Sequence, residues 1–232
     1  MALRISELFA SIQGEGPSVG VPSVFVRLAE CNLACTWCDT KYTWDWEHYD
    51  REREVREVAV DDVAEEVVEL AGAGARTLVV TGGEPMLQQF ELVPLLVKLR
   101  AFGFRVEVET SGTITPEPAI AAVVDQWNVS PKLASSGNKR TARLRAAPLG
   151  WFAAAPNAGW KLVATSEADL AEIDDLVATY AVPAARVTVM PEGTDAATLA
   201  ERARWLVPAC VQRGWRFGTR MHVVLWGSER GR

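Results

Sequence analysis

The chain has 232 residues, 49% hydrophobic and 23% charged, with a formal net charge of −6. That length buries one large core, so a single domain over residues 1–232 is expected. The acidic balance argues against a nucleic-acid binder held by a broad positive surface, and no apolar run approaches the ~20 residues of a membrane span.

The start, "MALRISELFASIQGEGPSVG", lacks the apolar core and cleavage site of a signal peptide, so a cytoplasmic location is expected. "SVFVRLAE" (23–30) reads as a buried strand running into a cysteine loop. Residues 39–57 are polar and aromatic without a period and read as a long loop. "DDVAEEVVELAGAG" (61–74) opens on an Asp N-cap and ends in glycine, which predicts a helix. "RTLVVTGGEP" (76–85) is a strand with a Gly-rich end, followed by an amphipathic helix over 86–103 bent at Pro94. A strand "FRVEVETSGT" (104–113), a short helix (116–124) and a strand "QWNVSPK" (126–132) come next. Residues 134–158 are basic and rich in small residues, with no clear element. The alternation then resumes: strand 159–165, helix 166–181, strand 186–193, helix 194–214 and a last strand "TRMHVVLWG" (219–227).

This alternation predicts an α/β protein with a mostly parallel sheet covered by helices. About six such strands fall short of the eight of a complete barrel, so a partial, open TIM-like barrel is expected. A flat doubly wound sheet fits less well, because no G-x-G-x-x-G follows an early strand. The cysteine loop, "TGGEP", "ETSGT", "SPK" and "MPEGT" all follow strand C-termini, which converge on one face of a parallel barrel.

"CNLACTWCDT" (31–40) holds three of the chain's four cysteines, Cys31, Cys35 and Cys38. Four cysteines do not make a disulfide framework in a chain this size, and thiolates select zinc, copper(I) or iron–sulfur clusters. A structural zinc site needs four closed ligands. Cys210 lies far off in a predicted helix and reads as core, while His48 offers a Cys3His alternative. A 4Fe–4S cluster on three cysteines instead leaves one iron open to a small molecule.

C-x3-C-x2-C with Trp37 before the last cysteine resembles the radical S-adenosylmethionine (SAM) superfamily, as does "GGEP" (82–85) placed after a strand. The resemblance implies a 4Fe–4S cluster on Cys31, Cys35 and Cys38, with SAM on its open iron. It implies SAM contacts from Trp37, Cys38, Asp39, Gly82, Gly83, Glu84, Ser111, Ser130, Pro131 and Lys132. Taken singly, the serines and the lysine read equally well as caps and a surface charge.

The stretch from Glu7 to Thr40, with "TGGEP", "ETSGT", "SPK" and "RMHVVLWG", closely resembles the 7-carboxy-7-deazaguanine synthase family. That resemblance implies a ring contraction of 6-carboxy-5,6,7,8-tetrahydropterin with loss of ammonia, in 7-deazapurine (queuosine) biosynthesis. It also implies a magnesium ion on Thr40, with Asp39 the competing ligand by chemistry alone. The expected partners are this pterin, a flavodoxin or ferredoxin-type electron donor and a second copy of the chain. Ile12, Gln13, Gly14 and Glu15 would read the pterin's amino-pyrimidinone edge, with Thr81 and His222 beside them. Arg27, inside an apolar strand, needs an anion: either the substrate carboxylate or an internal partner such as Glu30. The C-terminal "GSERGR" departs from members that end in a proline reaching the substrate, which puts that contact in doubt. The rivals are a glycyl-radical activase acting on a protein and a zinc-stabilised binding module.

Overall fold

The computed structural model describes residues 1–232. β1 (Ala2–Ile12) pairs antiparallel with β2 (Pro22–Leu28) across the glycine-rich "GEGPSVG" turn. The cysteine loop and a helical turn at Lys41–Thr43 lead to α1 (Arg51–Glu54) and β3 (Arg56–Ala59), which pairs antiparallel with β1. There follow α2 (Val60–Ala71), β4 (Thr77–Gly82), α3 (Gln89–Ala101), β5 (Arg105–Thr110), α4 (Pro118–Ala121) and β6 (Gln126–Val129). The chain continues through α5 (Arg140–Arg143), α6 (Ala146–Ala154), β7 (Ala158–Ala164), α7 (Asp169–Thr179) and β8 (Val187–Pro191). It closes with α8 (Ala196–Arg213), β9 (Arg216–Phe217) and α9 (Met221–Trp226).

The strands form one sheet in the order β3-β1-β2-β4-β5-β6-β7-β8-β9. Every pairing from β2 onward is parallel. β3 and β9 stay unpaired on their outer sides, so the sheet is open. One apolar core packs α2 and α3 against β1, β2, β4 and β5, and a second packs α7 and α8 against β7 and β8.

Three local expectations are corrected, and β1 is a further strand. Residues 219–227 contain helix α9, not a strand: a short apolar run bounded by glycine has no period that separates the two. Only Val223 of α9 is buried, and the Met221 N–H is spent on the Gly14 carbonyl, 2.9 Å away. Residues 39–57 are not all loop, because Asp50 caps α1 through the Glu52 N–H (3.1 Å) and β3 begins at Arg56. α2 is capped at Ala59, two residues before the expected Asp61, which places Asp61 and Asp62 in the first turn, where carboxylates oppose the helix dipole. β1 escapes the strand count because a register shift between Ile5 and Glu7 breaks its period of two.

The turn after β4 is fitted to β2 at backbone distance. The Gly83 N–H donates to the Leu28 carbonyl (3.0 Å) and the Glu84 N–H to the Glu30 carbonyl (2.8 Å). A Cβ on Gly82, which holds φ +133°, would meet the Leu28 carbonyl oxygen at 2.1 Å; one on Gly83 would meet that of Glu30 at 2.0 Å. These glycines therefore serve the approach of the turn to the cysteine-loop stem. Gly83→Ala is expected to cost at least about 1–3 kcal/mol of stability, measured as a lowered urea midpoint.

Candidate active site

The strand C-termini open into a cavity of about 220 Å³. Its wall collects Ile12, Gln13, Gly14, Glu15, Arg27, Cys31, Cys35, Trp37, Cys38, Asp39, Thr40, Thr81, Gly82, Gly83, Ser111, Ser130, Lys132 and His222. Of the expected site residues, only Glu84 and Pro131 stand outside the lining.

The three thiols share this wall, and each sulfur receives an N–H donor. Leu33 N donates to Cys31 (3.5 Å), Asn138 Nδ2 to Cys35 (3.3 Å) and Trp44 Nε1 to Cys38 (3.4 Å). The loop is fastened to residues 134–138, the stretch left without an element by sequence. Thr36 N donates to the Ser136 carbonyl (3.0 Å) and Trp37 Nε1 to that of Ser135 (3.0 Å). Burial pushes the Cys31 thiol up to about 12 and also raises Cys35, so deprotonation needs a bound metal's positive charge. Three soft donors around one wall, each met by an N–H, fit an iron–sulfur cluster. His48 sits on the surface paired with Asp45 (3.0 Å), outside the cavity, and Cys210 is buried in the second core. Neither is placed as a fourth ligand. The side chain of Thr40 makes only a long contact with Cys38 Sγ (3.6 Å), leaving its oxygen available to a metal. The Asp39 carboxylate is instead gripped by Arg220.

Glu84 is turned away from the cavity. Its fully buried carboxylate accepts from Met86 N, Thr110 Oγ1 (2.7 Å), Ser111 N (2.8 Å) and Ser111 Oγ (2.5 Å). Its side chain ties the glycine turn to the end of β5. Ser130 accepts from Lys132 Nζ (3.0 Å), whose ammonium lies 5.7 Å over the Trp37 ring.

The lining also carries charge. Glu15 is bound by Lys161 (2.5 Å) and Arg220 (2.9 Å). Lys161 also reaches Glu109 (3.4 Å), which accepts from Gln13 Nε2 (3.4 Å) and Thr81 Oγ1 (3.0 Å). Thr81 thus directs its proton at Glu109. Arg27 pairs with Glu7 (2.8 Å) and not with Glu30, which is taken by Arg4 and Arg51. Glu7 further accepts from Tyr42 (2.8 Å) and Arg230 (2.9 Å), so the C-terminal segment folds onto the rim, where Arg232 joins the lining. His222 packs on Gly14: a Cβ there would stand 2.2 Å from its Nδ1. Burial holds the His222 pKa below its ordinary value, so the ring is neutral near pH 7.

Sequence reasoning missed Glu7, Glu109, Lys161 and Arg220. Lys161 carries the signal that exposed Arg27, a lone charge in an apolar strand. Glu109 lies in "ETSGT" and Arg220 in "RMH", both already singled out.

Burial alone would raise the Glu15 pKa, but Lys161 and Arg220 override it and hold the carboxyl well below the ordinary range. Asp39 is lowered too, burial being outweighed by Arg220. Folded pKa values below the unfolded ones give stability that is complete above about pH 4–5 and is lost as pH falls through the folded values. The Glu15→Gln variant is expected to show a smaller loss of urea midpoint between pH 6 and pH 3 than the parent. Equal losses would mean that Glu15 contributes no such linkage.

A family model described as the radical SAM superfamily matches residues 27–134. The 7-carboxy-7-deazaguanine synthase of Pyrobaculum aerophilum is 39% identical, over 99% of this chain and 97% of that protein. The synthase of Escherichia coli K12 is 31% identical, over 97% of this chain and 99% of that one. The crystal structure of QueE from Escherichia coli superposes with a TM-score of 0.73 at 28% identity, covering 96% of this chain and 95% of that chain. Streptococcus suis SuiB bound to S-adenosylmethionine shares the fold, with a TM-score of 0.57 at 15% identity over 82% of this chain and 48% of that chain. The chain belongs to the 7-carboxy-7-deazaguanine synthase family of radical SAM enzymes.

Proposed function

We infer that this enzyme converts 6-carboxy-5,6,7,8-tetrahydropterin to 7-carboxy-7-deazaguanine with loss of ammonia, in 7-deazapurine biosynthesis. The observation that carries the reading is one cavity lined by three thiols together with Arg27, Gln13 and Glu15. When bound, the 4Fe–4S cluster and SAM supply reductive sulfonium cleavage, and hence a carbon radical able to take hydrogen from the pterin. The protein's part is binding, orientation and exclusion of water. Cys31, Cys35 and Cys38 hold the cluster, while Trp37, Asp39, Gly82, Gly83, Ser111, Ser130 and Lys132 border the SAM side.

Arg27 fixes its Nε on Glu7, which leaves its remaining N–H groups for the substrate carboxylate in bidentate geometry. Stacked Phe9 and Phe25, with centroids 4.9 Å apart, form an apolar wall beside it, and the Arg27 guanidinium lies 5.9 Å over Phe9. Glu15, kept ionised by Lys161 and Arg220, is acceptor-only, while Gln13 supplies a donor and an acceptor. Together they suit the amino-pyrimidinone edge.

Thr40 is assigned to magnesium. Its hydroxyl is a weak neutral ligand, so metal affinity should be poor until substrate oxygens complete the shell. Magnesium and substrate should then tighten each other's binding by the same factor. Thr40→Val should lower both turnover and magnesium stimulation with the cluster intact. Full stimulation in Thr40→Val together with its loss in Asp39→Asn would move the ligand to Asp39.

No helix is long and apolar enough to cross a membrane. A cytoplasmic homodimer reduced by a flavodoxin or ferredoxin-type donor fits this role. The reading is tested by ammonia released from the tetrahydropterin by anaerobically reconstituted protein with SAM and reductant, and SAM should not be consumed in step, because substrate and product differ only by ammonia. Ammonia formed over many turnovers per SAM supports it, whereas methionine and 5′-deoxyadenosine released only in response to a glycyl-radical protein favour an activase. Colourless protein carrying zinc would reduce it to a binding module.

A further inference from the structure

We propose that Trp44 and Asn138 set the reduction potential of the cluster by donating N–H hydrogen bonds to the sulfurs of Cys38 and Cys35. The proposal rests on the reading that Cys31, Cys35 and Cys38 hold a 4Fe–4S cluster.

Both donors come from segments outside the cysteine motif. Trp44 ends the helical turn at Lys41–Thr43, where its own backbone N–H donates to the Lys41 carbonyl (3.0 Å) and positions the ring. Its Nε1 then stands 3.4 Å from Cys38 Sγ. Indole nitrogen is a donor only, so the sense of this bond is fixed. Asn138 reaches Cys35 Sγ with Nδ2 at 3.3 Å. Its orientation is fixed as well, because its Oδ1 accepts from the Ala34 N–H at 2.9 Å, and only an oxygen can do that. The Asn138 amide therefore bridges the cysteine loop, acceptor to backbone and donor to sulfur.

Reduction adds one electron to the cluster, from a low-potential donor, and no bond to the protein forms or breaks. The added negative charge spreads onto the sulfurs. N–H dipoles aimed at those sulfurs stabilise the reduced form more than the oxidised form, so they raise the potential. Each contact removed should make the cluster harder to reduce.

The test is a redox titration of reconstituted holoenzyme without SAM, followed by the electron paramagnetic resonance signal of the reduced cluster. Trp44→Phe keeps a ring and loses the N–H; Asn138→Leu keeps the side-chain bulk and loses the amide. Each is expected to lower the midpoint potential, and the double variant to lower it further. Trp46→Phe, which removes an indole making no sulfur contact, should read the parent value. Because the signal reports only the clusters retained, a drop in iron content does not affect the reading. A parent potential in Trp44→Phe or in Asn138→Leu overturns the assignment of that residue. Absence of any cluster signal from the parent protein would instead overturn the reading on which the proposal stands.

Discussion

Alanine at Cys31, Cys35 or Cys38 is expected to remove the cluster and all turnover, whereas Cys210→Ala is expected to keep both. The three loop thiols line one cavity, and each already receives an N–H donor. Losing one thiolate leaves an iron without its protein ligand, and neither neighbouring cysteine can serve two corners of a cubane. Cys210 is 1% exposed in the core between α8 and the sheet, where it acts as a small apolar side chain. Its truncation should cost about 1 kcal/mol of stability and no iron. Iron and sulfide content after anaerobic reconstitution, with turnover on the same samples, checks both outcomes. Cluster loss in Cys210→Ala would contradict the three-cysteine assignment.

Arg27→Ala is expected to weaken tetrahydropterin binding by about 2–5 kcal/mol, the cost of leaving a buried charge unpaired. That corresponds to roughly 30-fold or more in dissociation constant. The fold should survive, because Glu7 keeps Tyr42 at 2.8 Å and Arg230 at 2.9 Å and is not left bare. SAM binding should persist, since the Arg27 side chain hydrogen-bonds to Glu7 and to none of the residues assigned to SAM. Anaerobic calorimetry with each ligand separates the two effects. Unchanged pterin affinity would confine Arg27 to its pair with Glu7.

The central parallel strands were legible because Val24–Val26 in β2 and Leu78–Val80 in β4 make continuous apolar runs, while β5 alternates Val106 and Val108 with Glu107 and Glu109. The placement of the cysteine loop and the Gly82–Gly83 turn followed from those strand ends. The edge elements were less legible. β3 pairs on one side only and buries none of its residues, so it has no apolar signature, and the pattern of β1 is broken by its bulge. α9 read as a strand because six residues carry less than two helical turns of periodicity. Partner identity was the least legible feature: Arg27 was expected to need an anion, but nothing in the local pattern points to Glu7, twenty positions upstream and adjacent only across the hairpin. Glu84 lies in a motif that suggests ligand contact, yet its side chain braces β5, a distinction set by which way the turn folds.

A cavity that joins a three-cysteine cluster with SAM to a pterin site must turn the pterin over. The most direct measurement is anaerobic incubation of the reconstituted enzyme with SAM, reductant, magnesium and 6-carboxy-5,6,7,8-tetrahydropterin, read by mass spectrometry. The expected products are 7-carboxy-7-deazaguanine and ammonia, abolished in Cys38→Ala and strongly reduced in Arg27→Ala. Protein that carries the cluster and cleaves SAM yet leaves the pterin unchanged would contradict this activity.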